Sequence, residues 1–248
     1  MGKRRIAIII FCVLFSAGLG LFLYPWLHGA AVDHAITKEA VSFLQRVEQE
    51  KLPSNTVLPL DEDAPQESVQ MPYPELYAAI EAYNEAIYEQ KQEGLSCEYA
   101  YQNSSFVLAD YGLDSEVFGV LSIPAVEIEM PIYLGATYQH MADGAAHMSQ
   151  TSLPIGGDNT NCVIAGHRGW KGAAYFRYID QLAIGDEVTV TNLWETLTYT
   201  VTEIKVILPD DVDQILIQEG RELLTLLTCH PYASGGKYRY LVICERKS

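Results

Sequence analysis

The stretch Leu223-Leu224-Thr225-Leu226-Leu227-Thr228-Cys229-His230-Pro231-Tyr232 decides the fold. It is an apolar run with interspersed threonines that stops at a cysteine, and Pro231 then ends it. Such a run bounded by turn residues reads as a β-strand. After Ala233-Ser234-Gly235-Gly236, a turn, the run Lys237-Tyr238-Arg239-Tyr240-Leu241-Val242-Ile243-Cys244 reads as the next strand. The pair would present Cys229 at a strand end facing Arg239. A nearby cation favours the thiolate over the thiol. An acid–base partner is offered by Cys162-Val163-Ile164-Ala165-Gly166-His167-Arg168-Gly169, another apolar strand that ends on a histidine and a glycine turn.

The same pattern recurs through the C-terminal half. Phe118–Ile123, Val126–Ile132, Asn161–His167, Glu187–Asn192, Thr196–Leu208, Glu222–Cys229 and Tyr238–Cys244 are β-rich runs bounded by Gly, Pro, Asn and Asp. Within Thr196–Leu208, Leu197, Tyr199 and Val201 alternate with Thr198, Thr200 and Thr202, the signature of a half-buried strand. Many short strands with few helices predict a closed barrel or a sandwich.

At these residues a resemblance becomes specific. Thr225-Leu226-Leu227-Thr228-Cys229 resembles the TLxTC motif of the sortases, with His167 upstream in Ala-Gly-His-Arg-Gly and Arg239 downstream. Gly119-Val120-Leu121-Ser122-Ile123-Pro124, Met130-Pro131-Ile132-Tyr133-Leu134-Gly135 and the run from Gly144 to Gly157 resemble the pilin-polymerising class C branch. The resemblance covers about Gly119 to Arg246. It implies a mainly β fold, an eight-stranded barrel with a short helix over Tyr175–Leu182. It also implies a membrane-anchored cysteine transpeptidase. Such an enzyme cuts an LPxTG-like signal after its Thr, holds the product as a thioester and passes it to an amine.

On that reading Cys229 is the nucleophile, which splits one hard acyl transfer into two easier steps. His167 is the general acid and then the base, a role suited to imidazole. Arg239 stabilises the oxyanion or holds the substrate backbone. Thr228 and His230 flank the nucleophile as supporting or substrate-binding residues, the His230 amide as a second oxyanion donor. A Cys229–His230 dyad is disfavoured, because adjacent strand residues point to opposite faces. His147 is expected to fix a loop by hydrogen bonding. No cofactor and no metal are expected: the acidic residues lack the spacing of a calcium loop, and the cysteines lack that of a zinc site. Cys162 and Cys244, inside apolar strand patterns, read as buried inert thiols.

The implied partners are secreted proteins or pilins with a C-terminal sorting signal and an amine acceptor, a pilin lysine or a cell-wall peptide. Attachment of surface proteins to the cell wall is the rival within the family. A catalytically silent barrel serving assembly, or a hydrolytic cysteine protease, are rivals outside it. A net charge of −16 over 248 residues argues against nucleic acid, which needs a basic stripe.

Toward the N-terminus, a basic tail (1–5) precedes Ile6 to Leu27, 22 residues without a charge. That is long enough to cross a bilayer. Basic residues before the span predict a cytoplasmic N-terminus and a catalytic domain outside the plasma membrane. No second apolar span follows, so this helix is the expected anchor, although many class C sortases carry a C-terminal one as well. The region 28–116 is expected to be helical and linking. Ile36, Ala40, Phe43, Leu44 and Val47 mark one amphipathic helix, and Leu76, Ile80, Tyr83 and Ile87 a second that starts at Pro74. Leu52 to Pro74, with five prolines, reads as an exposed linker. Residues 94–114 are a candidate lid without the Asp-Pro-aromatic anchor of the class C branch, with Tyr99 or Tyr101 as plugs, and 117–248 are the catalytic barrel.

Overall fold

A computed structural model describes residues 2–51, 71–96 and 102–247. The linker from Leu52 and the residues Cys97, Tyr99 and Tyr101 lie outside these, apart from the short stretch before the second helix. Eight strands form the barrel: β1 (Val117–Ile123), β2 (Ile128–Leu134), β3 (Ala145–His147), β4 (Thr160–Ala165), β5 (Glu187–Thr191), β6 (Thr196–Ile207), β7 (Glu222–His230) and β8 (Tyr238–Arg246). Their order, β1-β2-β3-β4-β7-β8-β6-β5, closes on itself through the β1–β5 pairing. Closure leaves no exposed sheet edge. Two pairs are parallel, β2 with β3 and β4 with β7; the rest are antiparallel.

The side-chain alternation builds two different surfaces. On β6, Leu197, Tyr199 and Val201 are buried in the barrel interior, beside Leu224 and Leu226 of β7 and Val242 and Cys244 of β8. Central strands β4 and β7 are covered on the outside too. There Leu95, Met148, Val163, Ala165, Ile215 and Leu241 form a separate cluster over the sheet. A strand buried on both faces reads as a continuous apolar run, which is why Leu223 to Leu227 shows so little alternation. Cys162 and Cys244 are buried as expected. Burial pushes the Cys244 thiol up to about 12 and Cys162 higher still, so neither is reactive.

Two helices dress the barrel. α1 runs unbroken from Lys3 to Lys51, with Pro25 inside it. The apolar span and the amphipathic helix, read as separate, are therefore one rod. The carbonyl freed by Pro25 interrupts one turn only, and the packed stripe that follows holds the helix together. That stripe, Ile36, Ala40, Phe43 and Val47, is buried on the barrel. α2 (Pro74–Glu89) starts at Pro74, whose missing N–H costs nothing at a first turn, and buries Leu76, Ile80, Asn84 and Ile87. Asn84 closes its own polar account by bonding the Leu153 amide and carbonyl. A third helix, α3 (Tyr138–Asp143), is capped by the Thr137 hydroxyl on the His140 amide.

Three expectations need correction. The segment Tyr175–Leu182 is not a helix beyond the 3-10 turn Ile179–Gln181. Tyr175 has a left-handed backbone, and the Phe176 amide is already committed to the His167 carbonyl at 2.9 Å. The run from Val126 starts as a strand only at Ile128, because Glu127 is left-handed. The strand Ala145–His147 is too short to show periodicity; its pairing with β2 and β4 creates it.

Candidate active site

The site forms where β4, β7 and β8 end together. Parallel register pairs Ala165 of β4 with Leu227 of β7. The Gly166 amide extends that ladder to the Leu227 carbonyl at 3.0 Å. His167 follows Gly166, two residues past the end of β4, and Cys229 lies two residues beyond Leu227 on β7. Antiparallel register then places Arg239 of β8 directly across from Cys229. Side chains alternate along each strand, so Leu227 and Cys229 share a face with Arg239 and Leu241. The register thus sets Cys229 opposite Arg239 and leaves His167 just past the end of the neighbouring strand β4.

Arg239 is held rather than loose. Its Nη1 donates to the Gly236 carbonyl at 2.8 Å and approaches that of Tyr238 at 3.4 Å. Gly236 is left-handed at φ 80°, and a Cβ there would sit 3.2 Å from both Cys229 Sγ and Arg239 Nη1. A side chain at this position would crowd the thiol and the cation at once. Among the described residues, Nε2 of His167 is buried without a hydrogen-bond partner. The ring is stacked on Trp170, with centroids 5.2 Å apart, and edge-on to Tyr175 at 5.7 Å. Burial lowers the His167 pKa, because the charged form loses hydration.

The supporting residues lie away from that face. Thr228, one position before the nucleophile, donates its hydroxyl to the Gly166 carbonyl at 2.6 Å. It ties the strand of the nucleophile to the exit of the histidine's strand. His230 is stacked on Tyr240 at 5.4 Å and meets Arg168 Nη1 at 3.3 Å through its Nδ1. By strand alternation neither points to the face that Cys229 and Arg239 share. His147 is fully buried on β3. Its Nε2 donates to the Thr151 and Ser152 carbonyls at 3.2 and 3.1 Å, and burial lowers its pKa to about 4.

Two residues that the sequence pattern did not single out matter here. Arg168 is buried, bonded to Asp180 at 2.6 Å and to the Arg177 carbonyl at 3.0 Å, and lies over the Tyr240 ring. Its place beside His167 in Ala-Gly-His-Arg-Gly was the only signal. Asn161 is buried, bonding the Thr225 hydroxyl at 2.9 Å and the Ile215 carbonyl at 2.9 Å. It pins the 212–215 turn to the sheet.

That turn walls a groove of about 180 Å³ leading to Arg239. Met141, Met148, Ala165, Ile207, Ile215 and Leu227 make it apolar. Gln102, within the expected lid of residues 94–114, also lines it; the plugs Tyr99 and Tyr101 lie outside the described residues. No cluster of His, Cys, Asp or Glu suited to a metal occurs among the described residues.

The closed barrel carries a cysteine, a histidine and an arginine at one end. The sortase domain model matches residues 121–247, and the chain belongs to the sortase family. It is 29% identical over 130 residues to sortase D of Bacillus subtilis, a match covering 52% of this chain and 63% of that protein. The chain thus spans less than two-thirds of that curated relative's length. Among solved structures, it is similar to the lid mutant of Streptococcus agalactiae sortase C1, with 31% identity, a TM-score of 0.63 and coverage of 71% of this chain and 89% of that one. It is also similar to sortase C1 of GBS pilus island 1, at 28% identity and a TM-score of 0.65, covering 88% and 98% of the two chains. These structural neighbours are class C sortases.

Proposed function

We propose that this chain is a membrane-anchored cysteine transpeptidase that cuts an LPxTG-like sorting signal after its Thr and transfers the acyl group to an amine, a pilin lysine. The observation that carries the reading is the shared outer face of Cys229 and Arg239, with an apolar groove leading to it and His167 on the adjoining strand end. The groove suits the apolar residues that precede the scissile bond. The class C character of the structural neighbours, one of them from a pilus island, supports a pilin acceptor.

In this mechanism the Cys229 thiolate attacks the Thr carbonyl. The Arg239 guanidinium balances charge developing on the oxygen, a term often dominant in acyl transfer. The tetrahedral species collapses, the C–N bond breaks, and the proton held on His167 goes to the departing nitrogen. The thioester remains on Cys229. An incoming amine attacks it, returns a proton to His167 and releases Cys229. The half-buried imidazole, stacked on Trp170, is kept in place for both transfers.

The anchor is α1. An 18-residue window of this helix has a mean hydropathy of 2.8 and is not buried in the protein. At 1.5 Å per residue the uncharged stretch of 22 residues reaches about 33 Å, enough for a hydrocarbon core of about 30 Å. Lys3, Arg4 and Arg5 before it favour a cytoplasmic N-terminus.

The test is intact mass of the full chain in detergent, mixed with an LPxTG peptide. A mass increase equal to the peptide up to its Thr, absent in Cys229→Ala and discharged by an added amine, is expected. No adduct with a panel of variant signals would remove the transpeptidase reading and leave a silent barrel. Arg239→Lys keeps the charge but loses the planar fork. It should slow thioester formation by about 10²-fold.

A further inference from the structure

The loop that carries His167 is not supported by the barrel alone. It is docked on the juxtamembrane turns of α1, in four contacts. The Ala174 amide donates to Asp33 Oδ1 at 2.9 Å. His28 Nδ1 donates to the Lys171 carbonyl at 3.3 Å. Gly29 meets Gly172 backbone to backbone: a Cβ at Gly29 would lie 2.3 Å from the Gly172 carbonyl carbon, and one at Gly172 would lie 2.2 Å from the Pro25 carbonyl oxygen. Val32 and Ile36 pack into the same cluster as Trp170, Ala173 and Phe176.

These contacts lead to the histidine in one step. Trp170 and Ala173 exchange both backbone hydrogen bonds, at 3.2 and 3.0 Å, across the left-handed pair Lys171-Gly172. The hairpin is therefore a stiff unit whose tip is gripped by α1. The Trp170 ring on one side of that unit stacks on His167, and Tyr175 on the other side meets the same ring edge-on. A shift of the tip moves both aromatic neighbours of His167.

We propose that Gly29 and Asp33 of the membrane helix are positioning residues for His167, acting through the Trp170–Ala174 hairpin, so that the anchor is part of the active-site scaffold. The inference rests on the reading of His167 as the acid–base group. It assigns a purpose to a glycine in a helix, where glycine is otherwise unfavourable. Gly18 and Gly20, in the same helix, have nothing within 4 Å of a Cβ position and make no such contact.

The experiment uses the full chain in lipid nanodiscs, with Gly29→Ala, Asp33→Ala and the control Gly18→Ala. Alanine fits the helix in both glycine variants and differs only in what it meets. Hydrogen exchange should rise about tenfold across residues 167–178 in Gly29→Ala and Asp33→Ala, with β7 and β8 unchanged, and should not rise in Gly18→Ala. Thioester formation should fall about tenfold in the first two variants, with the His167 limb of its pH profile displaced. Alkylation of Cys229 by iodoacetamide at pH 9 should stay unchanged. Unaltered exchange at 167–178 would overturn the proposal, as would altered exchange with an undisplaced pH profile. A wild-type chain that forms no thioester while exchange responds as expected would overturn the transpeptidase reading and with it the positioning role, leaving the mechanical contact alone demonstrated.

Discussion

His147 lies on β3 and His167 just past the end of the neighbouring β4, and burial lowers the pKa of both. Their hydrogen bonding separates them. His147 spends its Nε2 proton on two carbonyls and is enclosed on β3. Among the described residues, His167 holds a buried Nε2 without a partner, against two aromatic rings, two residues past the end of β4. A buried polar atom left unpaired costs stability, and His167 keeps one at the barrel end that carries Cys229 and Arg239. Desolvation alone therefore does not separate the two histidines, whereas the unspent nitrogen does.

The comparison breaks first on rate. His167→Gln should lower thioester formation by about 10³-fold, in the range of a lost general acid, with the protein still folded. His147→Gln, whose amide can still donate to the Thr151 and Ser152 carbonyls, should lower it by less than about tenfold. Equal losses, measured by intact mass against time, would erase the distinction.

It sharpens next on acid stability. An unfolded histidine titrates near 6.5, whereas His147 in the fold is held at about 4. The folded state binds the proton less readily, so its contribution is full above pH 6.5 and disappears as pH falls to about 4. The difference corresponds to about 3 kcal/mol. Chemical unfolding at pH 7.5 and pH 4 should show this loss in the wild type and a smaller one in His147→Gln. His167 is shifted in the same direction but is only partly enclosed, so His167→Gln should change the loss less.

The smallest effect concerns the link that places His167. Thr228→Val removes the hydroxyl bonded to the Gly166 carbonyl at 2.6 Å. A stranded buried acceptor costs about 1–3 kcal/mol. Thermal unfolding should show that loss, and thioester formation should fall as the strand ends separate. Loss of stability with an unchanged rate would mean that the Thr228 link does not position His167.

Much of this site was legible because its signals are local. Cys229 and His167 each close an apolar run, and Arg239 stands at a fixed distance from Cys229 along a single hairpin. Thr228, His230 and His147 were legible only as neighbours of motifs. Their side chains turn away from the groove or inward, and that depends on which face each strand buries. Arg168 and Asn161 carry no periodic signal, since a buried polar residue is recognised by its partners.

The sequence by itself determined seven of the eight strands, the second helix, the apolar span and the candidate residues Cys229, His167 and Arg239. Hydrophobic period and turn chemistry are properties of neighbouring residues. Only the tertiary structure decided β3, which exists through its partners, the single rod of α1, and the absence of a helix after the histidine loop. It alone decided that Asp33 meets Ala174, 141 residues away in the chain. Contacts at that separation depend on how the closed barrel seats α1, and no local pattern encodes them.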